Sequence, residues 1–312
     1  MKKQLNIFLA TDYSEEVMNA ERYAFEFAKK TKSVLTILHV YEIPFSFPSD
    51  PTEYARAAER LRNFELQKLQ LHCEMLMHSL NIKLQEINWE YIVLEGSVAK
   101  EIRKEAERSH PDLIITGAHG SSGNYIFQGN HTWDIIKKSN VPILAIPQDA
   151  LLTDIRKIVF ASEYSMSEIH GIQFLVTYAK YFNAELIVLH ITNHAITKEF
   201  ENTFFEKYKK EVLNRISYDK MSLRIVYSED IIEGLNNFCM ASKADWLVMA
   251  HSKPIIFEKI FMPSKSFTKE MSFHTHIPLL SIPDCLVSEK EDHCDSVEET
   301  IIYKKEKETI QE

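Results

Sequence analysis

Glycine is scarce in this chain, with only 7 in 312 residues. Cysteine is scarcer still: Cys73, Cys239, Cys285 and Cys294 lie far apart or near the C-terminus, with no CxxC pair among them. That pattern excludes a disulfide scaffold and a zinc ribbon, and leaves reduced thiols as the plain expectation. Long apolar runs are missing too. Stretches such as Leu113 to Thr116 and Leu186 to Leu189 are far too short to span a bilayer. The first apolar run, Leu5 to Ala10, meets Asp12 before it reaches signal-peptide length, so no export signal is read and a cytoplasmic location is expected. Positive charge is not in excess. The formal net charge of -9 argues against a protein built to grip nucleic-acid phosphates. There is no Gly-Lys dipeptide, hence no G-x4-G-K-[ST], which excludes a P-loop NTPase, and a G-x-G-x-x-G fingerprint is also missing.

What is present is a repeat. Ile7-Phe8-Leu9-Ala10-Thr11-Asp12-Tyr13-Ser14 matches Ile158-Val159-Phe160-Ala161-Ser162-Glu163-Tyr164-Ser165 at an offset of 151 residues. The same offset carries Leu38-His39-Val40 onto Leu189-His190-Ile191, so the intervening helix has equal length in both copies. Further on, Asp112 to Ile115 aligns with Asp245 to Val248, and Val141 to Leu144 with Ile277 to Leu280. A chain this long already suggests two domains, and the repeat makes it a duplicated one.

Within each copy, short β-rich apolar runs alternate with helical-period segments, the signature of βαβ units around a parallel sheet. Five strands per copy are predicted, in the first near 4–10, 34–40, 87–93, 113–116 and 143–146. Helices are expected near 15–30, 53–80, 98–109 and 131–138, with right-handed crossovers. The fold class is therefore α/β, with two tandem open parallel five-stranded sheets flanked by helices. The boundaries read 1–149 for the first domain, 150–284 for the second and 285–312 for a charged tail, with a helix expected near 297–307. The long segment from Glu53 to Leu80, carrying Leu61, Phe64, Leu66, Leu69, Leu71, Leu76 and Leu80, reads as a core-packing amphipathic helix.

Four of the seven glycines, Gly117, Gly120, Gly123 and Gly129, fall within 13 residues, directly after the strand Leu113 to Thr116 and before a helical segment starting near Thr132. Such a loop can turn backbone N–H groups toward a phosphate, because glycine lets the backbone approach closely and the helix N-terminus adds partial positive charge. Its place at the carboxyl end of a parallel strand is where open α/β sheets bind ligands. A plain surface loop is the bland reading of a glycine cluster. Trp133 is read as an anchor for the helix start. Metal binding is not expected: His190 and His194 sit where a strand ends, His274 and His276 lack a third ligand, and Cys285, His293 and Cys294 fit no closed zinc site.

With these residues the chain resembles the universal stress protein family, in two copies over nearly all of residues 1–284. The resemblance implies a Rossmann-like, adenine nucleotide α-hydrolase-like fold. The family's nucleotide loop, G-x2-G-x9-G followed by Ser or Thr, is matched by Gly117-Ala118-His119-Gly120, eight residues, then Gly129-Asn130. The loop is one residue short, and Asn130 stands in place of the hydroxyl residue. The resemblance implies that Asp12 contacts the nucleoside and Val40 lies against adenine. The full implied contact set is Thr11, Asp12, Val40, Gly117, His119, Gly120, Gly129, Asn130, His131 and Thr132. The cofactor it implies is ATP or another adenine nucleotide, with Mg2+ as companion of the nucleotide. In the second copy Glu163 replaces Asp12, and Ala250-His251-Ser252-Lys253 replaces Gly117 to Gly120, so a ligand-free structural partner is expected there.

The expectation is a stress-response regulatory protein that binds a nucleotide in its first half and catalyses at most slow ATP hydrolysis, since no lysine or arginine lies between Gly117 and Asp134. Its partners would be the nucleotide and a protein of unknown identity. The two copies would form an intramolecular pseudo-dimer, open to further homodimerisation. A nucleotide-free pseudo-dimer acting through protein contacts, or a slow hydrolase, stands as the alternative.

Overall fold

A computed structural model describes residues 4–44, 46–118, 135, 139–152, 154–166, 168–192, 198–250, 277–283 and 286. The chain divides into two compact units, with the break between Leu152 and Thr153.

The first unit opens with β1 (Asn6–Thr11), α1 (Glu15–Thr31) and β2 (Val34–Tyr41), and continues with α2 (Pro51–Ser79), β3 (Asn88–Glu95), α3 (Val98–Ser109), β4 (Leu113–Gly117) and β5 (Ile143–Ile146). All its ladders are parallel, in the order β3-β2-β1-β4-β5. The central strands are mostly apolar because helices cover both faces; β1 is buried from Ile7 to Thr11 and β4 from Leu113 to Gly117. Caps set the helix starts. Ser14 accepts from the Val17 N–H at the head of α1, and Asp50 accepts from the N–H groups of Thr52 and Glu53 at the head of α2. Gly96, between β3 and α3, has φ +131, a conformation that L side chains rarely adopt.

The second unit repeats the plan with β6 (Lys157–Ala161), α4 (Glu168–Phe182), β7 (Glu185–Thr192), α5 (Lys198–Arg215), β8 (Met221–Tyr227), α6 (Ile231–Ser242), β9 (Trp246–Ala250) and β10 (Leu279–Ile282). Its parallel order, β8-β7-β6-β9-β10, is the same. One register device is duplicated: Asp112 accepts from the Asn6 N–H at 2.9 Å, and Asp245 accepts from the Lys157 N–H at 2.8 Å, tying the start of the first strand to the fourth in each unit. Leu286 is buried, so the folded part of the chain reaches past Asp284.

The α2 helix departs from expectation. Leu69, Cys73, Leu76 and Met77 are buried, but Phe64 and Leu71, read as core residues, are 61% and 59% exposed, together with Met75 at 65%. The helix carries apolar residues on two faces, and leucine count alone does not separate them. The helix expected at 131–138 lies outside the described residues except for Ile135, which is helical and buried, and the helix expected at 297–307 lies wholly outside them.

Candidate functional site

In a sheet ordered 3-2-1-4-5 the connections reverse direction between β1 and β4, and a crevice opens at the carboxyl ends of those strands. The β1–β4 ladder ends with Leu9 opposite Ile115, leaving Thr11 and Gly117 beyond it. Thr11, Asp12, Val40 and Gly117 therefore all stand at the carboxyl end of the first sheet, on β1, just past it, on β2 and on β4. Asp12 is partly exposed, and one carboxylate oxygen accepts from the Ser14 N–H at 3.0 Å. Val40 is buried. His119, Gly120, Gly129, Asn130, His131 and Thr132 lie outside the described residues, as does Trp133.

The turn after β1 is held by side chains that composition did not single out. Tyr13 has φ 65, the left-handed region that a bulky residue occupies only under constraint. Its N–H donates to the Thr11 hydroxyl at 3.1 Å, and that hydroxyl in turn donates to the buried carboxylate of Glu21 on α1. The His72 Nε2–H, from α2, donates to both Glu21 oxygens at 2.9 Å. From β2, the His39 Nδ1–H donates to the Thr11 carbonyl at 2.9 Å, and the His39 ring lies 4.3 Å from that of Tyr13. The Glu65 carboxylate stands 3.6 Å from His39 Nε2 and 3.6 Å from the Lys68 ammonium, which itself sits 4.3 Å from the Tyr13 ring centre. Burial lowers the pKa of His39, against the opposing pull of the Thr11 carbonyl and Glu65. Burial raises that of Tyr13, with Glu65 adding to the effect, so the phenol stays neutral. The buried thiols of Cys73 and Cys239 are each pushed up to about 12 by burial and are unreactive as they stand.

The second unit has the same turn. Tyr164 has φ 61, its N–H donates to the Ser162 hydroxyl at 3.1 Å, and its ring stacks on His190 at 4.1 Å. His190 Nδ1 meets the Ser162 carbonyl at 2.7 Å. This contact accounts for His190 structurally; His194, His274, His276, Cys285, His293 and Cys294 lie outside the described residues. The Ser162 hydroxyl donates to Glu168 at 2.6 Å, with the Tyr208 hydroxyl of α5 at 3.2 Å. Glu163 takes the Asp12 position and Ala250 the Gly117 position, while residues 251–253 lie outside the described residues. The Tyr and His of this turn were visible in the repeat, since Tyr13/Tyr164 and His39/His190 both fall at the 151-residue offset. Glu21, Glu65 and His72 left no such trace.

A family model described as the universal stress protein family matches residues 5–147. The match covers nearly all of the first unit, which is thus similar to the universal stress protein family. A universal stress protein of Methanocaldococcus jannaschii is 29% identical over 150 residues, covering 45% of this chain and 93% of that protein. A universal stress protein structure from Archaeoglobus fulgidus is similar across both units, with a TM-score of 0.59, 15% identity, 92% of this chain and 98% of that one covered. A structure from Pseudomonas aeruginosa described as a putative universal stress protein has a TM-score of 0.51, 13% identity, and covers 91% of this chain and 95% of its own. At these identities the structures support the two-unit α/β fold. Among the described residues no helix is long and apolar enough to cross a membrane, and no group of three or more His, Cys, Asp or Glu side chains could hold a metal ion.

Proposed function

We propose that the first unit binds an adenine nucleotide, ATP or a close relative, at the carboxyl ends of β1, β2 and β4, and that occupancy regulates the protein's association with a protein partner in a stress response. The observation that carries this reading is the convergence of Asp12, Val40 and Gly117 on the crevice of a universal stress protein domain, where Gly117 begins the glycine-rich segment of the sequence. Asp12 would accept from the nucleoside hydroxyls, Val40 would pack on the base, and the backbone N–H groups of Gly120 and Gly129 would meet the phosphates. Mg2+ would be held by the phosphates themselves, since the described residues supply no metal-binding cluster. The second unit acts as a ligand-free partner domain, because side chains replace the glycines at its matching positions.

Binding rather than turnover fits the absence of lysine or arginine from Gly117 to Asp134. Protein purified without added ligand should release an adenine nucleotide on denaturation, read by mass spectrometry. Nucleotide-free protein that also fails to bind ATP, ADP or AMP at millimolar concentration would leave a pseudo-dimer acting through protein contacts alone.

A further inference from the structure

We propose that the outer face of α2 is a contact surface for a second copy of this chain, the two α2 helices pairing antiparallel about a two-fold axis at Gln67 and Lys68. The helix has 29 residues and is about 43 Å long at 1.5 Å per residue. One face, Leu69, Cys73, Leu76 and Met77, is buried in the first unit. Opposite it, Ala57, Phe64, Leu71 and Met75 lie along one line to within about 40° of helix azimuth at 100° per residue. Phe64, Leu71 and Met75 are each more than half exposed, whereas a helix packed on one side only carries polar residues there.

The charges beside this stripe select the occupant. Arg56 and Arg60 flank it in the N-terminal half, and Glu74 lies on the same flank in the C-terminal half; all three are exposed. In an antiparallel pair of identical helices each flank meets its own copy running in reverse. Pairing about Gln67 and Lys68 sets Phe64 against Leu71 of the second copy and Ala57 against its His78. It also brings Arg60 beside Glu74 of the second copy, twice per dimer by symmetry. A parallel pair would instead set each flank against the opposite flank of the second copy, so that Arg60 and Glu74 would not meet. The apolar contact is modest beside the roughly 800 Å² per partner of a standard interface, so the dimer should be weak and concentration-dependent.

Sedimentation equilibrium of the full chain over micromolar to submillimolar concentrations tests this. The expected result is a reversible monomer–dimer equilibrium. Phe64→Glu should raise its dissociation constant about tenfold or more, with an unchanged melting temperature in dilute protein because the side chain is exposed in the monomer. Arg60→Glu and Glu74→Arg should each weaken the dimer about threefold or more, and the double variant should restore it to near the parent value. A full chain that stays monomeric throughout would overturn the proposal, and it is the outcome expected if another segment or a different protein covers the stripe. A dimer indifferent to Phe64→Glu, or a double variant no better than the singles, would also overturn it.

Discussion

At the end of β1 the Thr11 hydroxyl reaches Glu21 in the second turn of α1; at the end of β6 the Ser162 hydroxyl reaches Glu168 in the first turn of α4. At the 151-residue offset Glu168 matches Val17, and Glu21 matches the buried Ile172. The two carboxylates are therefore unrelated by descent of position, one helical turn apart, yet serve the same hydroxyl. The third member differs as well, His72 from α2 in one unit and Tyr208 from α5 in the other. What the two units share is the strained tyrosine, the histidine that receives it and the hydroxyl beneath it. A turn kept with or without the glycine loop is a part of the fold. What separates the units, Asp12 against Glu163 and Gly117 to Gly120 against Ala250 to Lys253, is where ligand chemistry should be sought.

The largest expected effect breaks that asymmetry outright. Gly120→Val should abolish nucleotide binding by titration calorimetry while circular dichroism stays unchanged, because a branched Cβ would block the backbone approach to phosphate. Lys253→Ala, at the matching place in the second unit, should leave affinity within about twofold if the nucleotide occupies the first unit alone, as proposed.

Next come the bracing carboxylates. Glu21→Ala strands the Thr11 hydroxyl and His72, and should cost about 3 kcal/mol in urea unfolding. Glu168→Ala should cost about 2 kcal/mol. If Val17→Glu partly rescues Glu21→Ala, the two helical turns are interchangeable supports; no rescue would mean that each unit is packed around its own carboxylate.

The two units also place their glycines differently. In the first unit Gly96 occupies the turn before α3, whereas in the second Gly234 lies within α6, where an added Cβ would stand 2.7 Å from Ser228 Cβ and 2.9 Å from Ile191 Cγ2. Gly234→Ala should therefore cost about 2 kcal/mol through overpacking, measured by thermal unfolding. The smallest effect is a pH dependence. His39 has a folded pKa below its ordinary 6.5, so its neutral form stabilises the fold. That contribution is fully present above about pH 6.5 and is lost as pH falls through the lowered folded value. His39→Gln should flatten this part of the stability profile, read by urea unfolding across about pH 4 to 8.

The repeat and the alternating periodicity made both sheets legible, because strands buried on two faces read as apolar runs and Asp112 and Asp245 fall at matching positions. The strand ends that carry Thr11, Asp12, Val40 and Gly117 were legible for the same reason. Glu21, Glu65 and His72 were not, since a charged residue on a helix reads as solvated until the fold turns it inward. The two faces of α2 were also hidden. Phe64 and Leu71 interleave with Leu69 and Leu76 in sequence, and only the packing of the helix shows which pair meets the core.

Titration calorimetry of the intact chain with ATP decides whether the nucleotide occupies the first unit alone. One nucleotide per chain is expected, with affinity lost in Asp12→Ala and retained in Glu163→Ala. Two equivalents per chain, or binding that survives Asp12→Ala and fails in Glu163→Ala, would contradict it.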